Sequence, residues 1–211
     1  MPAKNPSIAA RKSIVAVSME SGMREEQLIG IAAELFAIKG YEGTSLRDIA
    51  ETAGITKAAL YYWFPEKETL FQRVVAGRMA ALADRAEMAV SQASDPLARI
   101  RAFLLCSAEQ IDTDRAGWIS SSNTFWSNFN AEQRKLVVPH RDRYEQLLRQ
   151  CVTGAVAQGL LRDVDPALAT RLLLAGLNQL PRWLKAGGRL SAVQVVEQYL
   201  DMLLNGLRNK A

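Results

Sequence analysis

The chain has 211 residues, 49% of them hydrophobic and 23% charged, with a net charge of +4 and a pI of about 9.2. That length is enough for one large or two small domains with a sizeable core, and the composition is that of an ordinary globular protein. No long uncharged apolar run is present to span a membrane, and the first residues lack the apolar block of a secretory signal, so a cytoplasmic, reduced setting is expected.

Met1 to about Gly22 mixes Pro2 and Pro6 with Lys4, Arg11 and Lys12. Ile14, Val15 and Val17 have no periodic partner. Residues 1–21 read as a flexible basic tail, or as an arm adding phosphate or minor-groove contacts. The first helix is expected over Arg24–Lys39, where Leu28, Ile31, Ala32, Leu35 and Phe36 follow a helical stripe that Gly40 ends. Its role is to pack behind the two short helices that come next in the chain, and Tyr41 is expected to pack with it.

Thr44 to Leu70 is the most informative stretch. Leu46, Ile49, Ala50 and Ala53 mark one face of a short helix, with Thr44 or Ser45 as its cap. Gly54 stops it, Thr56 caps a second short helix, and Phe64-Pro65 closes that one. Two short helices around a tight glycine turn make a helix-turn-helix. The outer side of the second helix carries Thr56, Lys57, Ala58, Tyr61, Tyr62 and Trp63. Small residues, donors and one cation suit close approach to a major groove, whereas the rings alone would equally suit the core of a helical bundle. Lys67 falls in the first turn of the next helix, where its ammonium and free N–H groups can meet a phosphate.

These residues resemble the TetR-type (TetR/AcrR) family of bacterial transcriptional regulators. AAELFAIKGYEGTSLRDIAETAGI and ITKAALYYWFPEKETL follow its pattern without a gap from about Leu28 to Phe71. Phe36, Gly40, Thr44, Arg47 to Ala50, Gly54, Leu60, Tyr61, Phe64, Lys67 and Leu70 appear in order. Trp63 departs from it, standing where the family often has His or another ring, so it either touches DNA or packs. The resemblance implies an all-α homodimer that binds double-stranded DNA at an approximately palindromic operator. DNA contacts are expected from Thr44, Ser45, Arg47, Thr56, Lys57, Ala58, Tyr61, Tyr62, Trp63 and Lys67, with Thr44, Arg47, Tyr62 and Lys67 mainly on phosphates. Nearby cations (Arg47, Lys57, Lys67, Arg73, Arg78) are offset by Glu42, Asp48, Glu51, Glu66 and Glu68, so the footprint rests on geometry rather than bulk charge.

From Pro65 a long helix is expected to about Ser91, with Leu70, Phe71, Val74 and Val75 serving the DNA-binding domain (22–82). Met79, Leu82, Ala86 and Val90 continue toward a ligand-binding and dimerisation domain (83–211). Asp95-Pro96 starts the next helix, whose core stripe is Ile100, Phe103, Leu104, Ala108 and Ile111. Rings and small polar groups then alternate through WISSSNTFWSNFN. Such a stretch suits a small-molecule pocket, a wet surface or a core edge. The expected lining is Phe103, Trp118, Ser122, Phe125, Trp126, Phe129 and Asn178.

Ala131 to about Gln158 reads as one long helix, bent near Pro139 and stopped by Gly159. His140 has no catalytic or metal partner in the pattern, and Cys106 and Cys151 sit in apolar stripes as buried thiols. Asp165-Pro166 starts a helix that Pro181 should kink, apolar on two sides. Leu168, Leu172, Ala175 and Gly176 are assigned to its own domain, and Leu173, Leu177, Leu180 and Leu184 to a twin subunit. Ser191 and Gln194 form a capping box for the last helix, with Leu200 and Leu204 on its stripe. The dimer interface is accordingly expected at Leu173, Leu177, Leu180, Leu200 and Leu204, unless these helices simply finish the monomer core.

Trp183 to Leu207 also resembles the end of a TetR branch in which some members respond to acyl-coenzyme A thioesters or lipid-derived compounds. That implies a small-molecule inducer and leaves Arg141, Arg143, Arg171 or Arg182 to meet coenzyme phosphates. No catalytic triad, phosphate loop, metal-ligand spacing or cofactor motif is present, and Asp112 and Asp114 look like a turn, so an enzyme is not expected. The reading is a ligand-responsive repressor, with a ligand-free constitutive DNA binder as the alternative.

Overall fold

The computed structural model describes residues 8–119 and 131–207. Helices are α1 (Ile8–Lys39), α2 (Leu46–Thr52), α3 (Lys57–Trp63), α4 (Lys67–Ser91), α5 (Pro96–Thr113), α6 (Ala131–Arg134), α7 (Val138–Ala157), α8 (Pro166–Trp183) and α9 (Ala192–Leu207). No strand forms among the described residues. The fold divides into two units, Met1–Val74 and Val75–Ala211, with the division inside α4.

In the first unit, Leu28, Ala32 and Phe36 of α1 are buried with Leu46, Ile49 and Ala50 of α2, Leu60 of α3, and Leu70, Phe71 and Val74 of α4. Gly40 (φ 75°) and Gly54 (φ 65°) take the left-handed conformation that ends α1 and turns α2 into α3. The segment expected to be a flexible tail is helical from Ile8 onward. Apolar periodicity marks a helix that buries one stripe, and a helix does not need such a stripe in order to form. Between Pro6 and Ser21 there is neither proline nor glycine to interrupt it.

In the second unit α5 is central, with α7 and α9 packed on it and α8 packed on α7. Ile100, Phe103, Leu104 and Ile111 meet Leu148, Val152, Val196 and Leu200 in one core. Asp95 and Asp165 cap α5 and α8, accepting from Ala98 N at 2.9 Å and Ala167 N at 2.7 Å, each ahead of a proline in the first turn. Ser191 N donates to Gln194 Oε1 (3.0 Å) and Gln194 N to Ser191 Oγ (3.2 Å), completing the capping box of α9. Cys106 and Cys151 are free thiols.

Two expectations need correction. The long helix expected over Ala131–Gln158 is two helices, α6 and α7, separated by a turn at residues 135–137. Pro139 sits in the first turn of α7, the place where a missing N–H costs nothing, so it starts a helix instead of bending one. The faces of α8 are also reversed. Leu173, Leu177 and Leu180, with Leu200 of α9, are 7%, 2%, 0% and 2% exposed within a single chain, and Leu204 packs partly against the same core. Leu168 and Leu172, assigned inward, are 62% and 54% exposed. Both stripes are leucine-rich, and only the position of α5 and α7 decides which is covered.

Candidate nucleic-acid interface

Ser45 caps α2 in a reciprocal box: Asp48 N donates to Ser45 Oγ (3.1 Å) and Ser45 N to Asp48 Oδ2 (2.8 Å). The bonds from Ser45 hold the Asp48 carboxyl below its ordinary range. Ile55 N donates to Ala50 O (3.0 Å) across the Gly54 turn, and Ala59 N to Thr56 Oγ1 (3.2 Å) caps α3. These local bonds fix where α3 starts.

Leu60 is the buried residue of α3. Lys57, Ala58 and Ala59 are exposed, Tyr61 is 41% exposed and Tyr62 83%. Lys57 Nζ lies 5.3 Å from the centroid of the Tyr61 ring. Trp63 is half-buried, with its ring edge-on to Tyr62 at 5.6 Å. Packing is one of the two roles left open for Trp63, and this geometry supports it. The outer surface of α3 is thus a low ridge of small residues edged by a cation and hydroxyl-bearing rings.

Lys67 opens α4, and its Nζ donates to Tyr41 O at 2.9 Å while standing 4.1 Å from the Tyr41 ring centroid. The ammonium keeps further N–H donors for an anion. Tyr41 is itself wedged between Phe36 (5.7 Å) and Phe71 (4.7 Å). Burial, then Glu68, raises its phenol well above the usual range. This anchoring role of Tyr41 was not legible, because the two partners are 26 residues apart and share no helical period. Arg47 is exposed and paired with Glu51 at 2.7 Å, an i,i+4 pair weak enough to exchange for a phosphate. Thr44 behaves differently from expectation. It is 1% exposed, and its hydroxyl donates to Gly40 O (2.8 Å) and Leu35 O (3.2 Å), so it braces the turn after α1 and its side chain offers no donor to a phosphate.

The residues assigned to a ligand pocket are not assembled among the described residues. Phe103 is fully buried, with its ring 4.4 Å from Tyr144, whose hydroxyl meets Ser107 Oγ at 2.5 Å. Trp118 packs partly against the same core. Asn178 is exposed on α8 and does not join them. Ser122, Phe125, Trp126 and Phe129 lie outside the described residues. Arg143 is committed to Asp84 (2.8 Å) and Glu87 (2.6 Å), and Arg171 and Arg182 are exposed. No helix among the described residues is long and apolar enough to cross a membrane.

Residues 28–74 match the model for bacterial regulatory proteins of the tetR family, and residues 93–207 that for the tetracyclin repressor-like C-terminal domain. The chain belongs to the TetR family. Among TetR-family relatives, the HTH-type transcriptional repressor KstR2 of Mycolicibacterium smegmatis is 32% identical over 185 residues, 87% of this chain and 90% of that protein. The structure of the TetR-family regulator PfmR from Thermus thermophilus is 34% identical with a TM-score of 0.74, covering 86% of this chain and 99% of that one. The structure of AibR in complex with isovaleryl coenzyme A and operator DNA is 26% identical with a TM-score of 0.70, covering 88% and 98%. As in its TetR-family relatives, α2 and α3 form the helix-turn-helix of a DNA-binding transcriptional repressor, followed by a helical C-terminal domain.

Proposed function

We propose that this TetR-family protein is a dimeric repressor of an approximately palindromic operator, released by a small, largely apolar inducer. The single observation that carries the DNA-reading half is the burial pattern of α3, which keeps Leu60 inward and turns Lys57, Ala58, Tyr61 and Tyr62 out. In this reading those four meet base edges and the adjoining backbone, while Ser45, Arg47, Thr56 and Lys67 position the protein on phosphates.

The outward apolar face of α8 and α9 supports the dimer. Leu168, Leu172 and Trp183 on α8 and Met202 on α9 are more than half exposed in one chain. Pairing these faces across a twofold axis buries them, and the two recognition helices then read major grooves roughly 34–36 Å apart. The inducer class is drawn from the likeness to AibR, whose structure holds isovaleryl coenzyme A, and we assign acyl-coenzyme A thioesters or related lipid-derived compounds as the first class to test. A 100-fold loss of operator affinity needs a coupling of about 2.7 kcal/mol between the two sites.

The test is fluorescence anisotropy with labelled DNA from upstream of the protein's own gene, followed by acyl-coenzyme A thioesters, free fatty acids and flat aromatic compounds. Saturable, salt-sensitive binding reversed by the thioesters is the expected result. Binding that no compound reverses would replace the induced repressor with a constitutive one.

A further inference from the structure

Lys57 is the only charged residue of α3, and it stands on the outer side of that helix with Ala58, Ala59 and Tyr61. Other cations of the DNA-reading unit are engaged by oxygens: Lys39 by Asp48 (3.6 Å), Arg47 by Glu51 (2.7 Å), Arg73 by Glu25 (2.7 Å) and Lys67 by Tyr41 O (2.9 Å). Lys57 has a ring instead, its Nζ 5.3 Å from the Tyr61 centroid one helical turn further on. The face of a ring attracts an ammonium without using up its N–H groups as a carboxylate does, and at an exposed site the attraction is weak enough to be exchanged for a better partner.

The chemistry of that tip selects among the bases. A lysine ammonium carries donors and no acceptor. In the major groove guanine presents two neighbouring acceptors, O6 and N7. Adenine and cytosine each present an amino group, which opposes another donor, and thymine sets a methyl group beside its one acceptor. A donor-only tip on the outer side of α3 therefore fits guanine best. Ala58 and Ala59 carry only methyl groups, so the surface next to Lys57 is low and lets the helix come close to the base edges. The ring supplies aim. A free lysine side chain samples many rotamers and meets a phosphate as readily as a base. Tyr61, 41% exposed, draws the ammonium along the outer side of α3 before DNA arrives.

We infer that Lys57 reads a guanine in each half-site of the operator and that Tyr61 is its positioning residue. The inference rests on the DNA-reading function proposed above and adds the base that is read.

The experiment enriches duplexes from a random pool with the full-length protein and with Lys57→Ala, Lys57→Gln, Lys57→Arg, Tyr61→Phe and Tyr61→Leu. All five alter exposed side chains, and thermal unfolding checks that each variant is folded. The parent should select one guanine per half-site whose replacement by adenine costs about fivefold or more in affinity. Lys57→Ala should lose that preference and keep the others. Lys57→Gln should move it to adenine, whose N6 and N7 match an amide, and Lys57→Arg should keep guanine. Tyr61→Phe retains the ring and should discriminate like the parent, whereas Tyr61→Leu should discriminate less at that base pair alone. If Lys57→Ala weakens every sequence by one factor and lowers the salt slope by about one, Lys57 is a phosphate contact and the guanine assignment is overturned. Tyr61→Leu discriminating as well as the parent would overturn the positioning role. A parent that selects no sequence would sink the DNA-reading function itself, whereas one that selects a sequence insensitive to Lys57 would sink only this inference.

Discussion

Lys67 and Tyr41 hold each other twice, through the carbonyl oxygen at 2.9 Å and through the ring at 4.1 Å. The pair ties the turn after α1 to the first residue of α4, and leaves the ammonium half-buried and aimed by its partner. A lysine so fixed has lost most of its side-chain entropy before any phosphate arrives. Lys67→Ala should weaken binding to specific and random DNA alike and lower the salt slope by about one. Anisotropy titrations at several salt concentrations measure both. An unchanged slope would remove Lys67 from the phosphate contacts.

Tyr62 and Leu60 sit two positions apart on α3 and should separate function from stability. Tyr62 is 83% exposed and Leu60 fully buried. Tyr62→Ala should change stability by no more than about 0.5 kcal/mol yet reduce operator affinity. Leu60→Ala should cost about 2–5 kcal/mol of folding free energy by leaving a cavity. Chemical denaturation alongside DNA titration distinguishes the two.

The helix-turn-helix was legible because its signals are local. Ser45, Gly54, Thr56 and Phe64 each act within a few residues, and the apolar spacing of α2 needs no knowledge of the rest. The capping pairs Asp95-Pro96, Asp165-Pro166 and Ser191…Gln194 were legible for the same reason. What escaped was decided at long range. Whether Leu172 or Leu173 faces the core depends on where α7 lies, and Thr44 turns inward because two carbonyl groups of α1 and its turn await its hydroxyl. A threonine before a helix looks the same in sequence whether its oxygen faces solvent or a buried carbonyl.

The carboxyl of Asp95 is held below its ordinary range, first by the Ala98 N–H. A depressed carboxyl contributes stability that is fully present above the unfolded value, about 3.9, and lost as the pH falls through the folded value. Asp95→Asn keeps the cap without the titration. Its melting temperature should match the parent at pH 7 and fall less steeply between pH 5 and pH 3, to be followed by circular dichroism. Identical acid profiles would show that this cap carries no share of the pH dependence.

Leu172 and Leu173 are neighbours with opposite surroundings, one 54% exposed and the other 7%. Leu172→Glu should yield a folded monomer, because a charge placed in an apolar dimer face would be buried unpaired. Leu173→Ala should lower the melting temperature through a cavity in the chain's own core. Sedimentation velocity and thermal unfolding report the two effects, and a Leu172→Glu dimer as tight as the parent would move the interface elsewhere.

The pairing of α5 with α9 joins distant parts of the chain: Arg101 and Glu197, 2.5 Å apart, are separated by 96 residues. Every element of the DNA-reading unit, by contrast, has been synthesised once Val74 has been joined to the chain. Synthesis therefore completes the helix-turn-helix unit well before α9, one of the two helices packed on α5, exists, and the side of α5 that α9 covers waits uncovered until it emerges. A nascent or truncated chain ending before Ala192 would carry a finished helix-turn-helix unit together with an uncovered apolar flank, a natural substrate for chaperones and proteases.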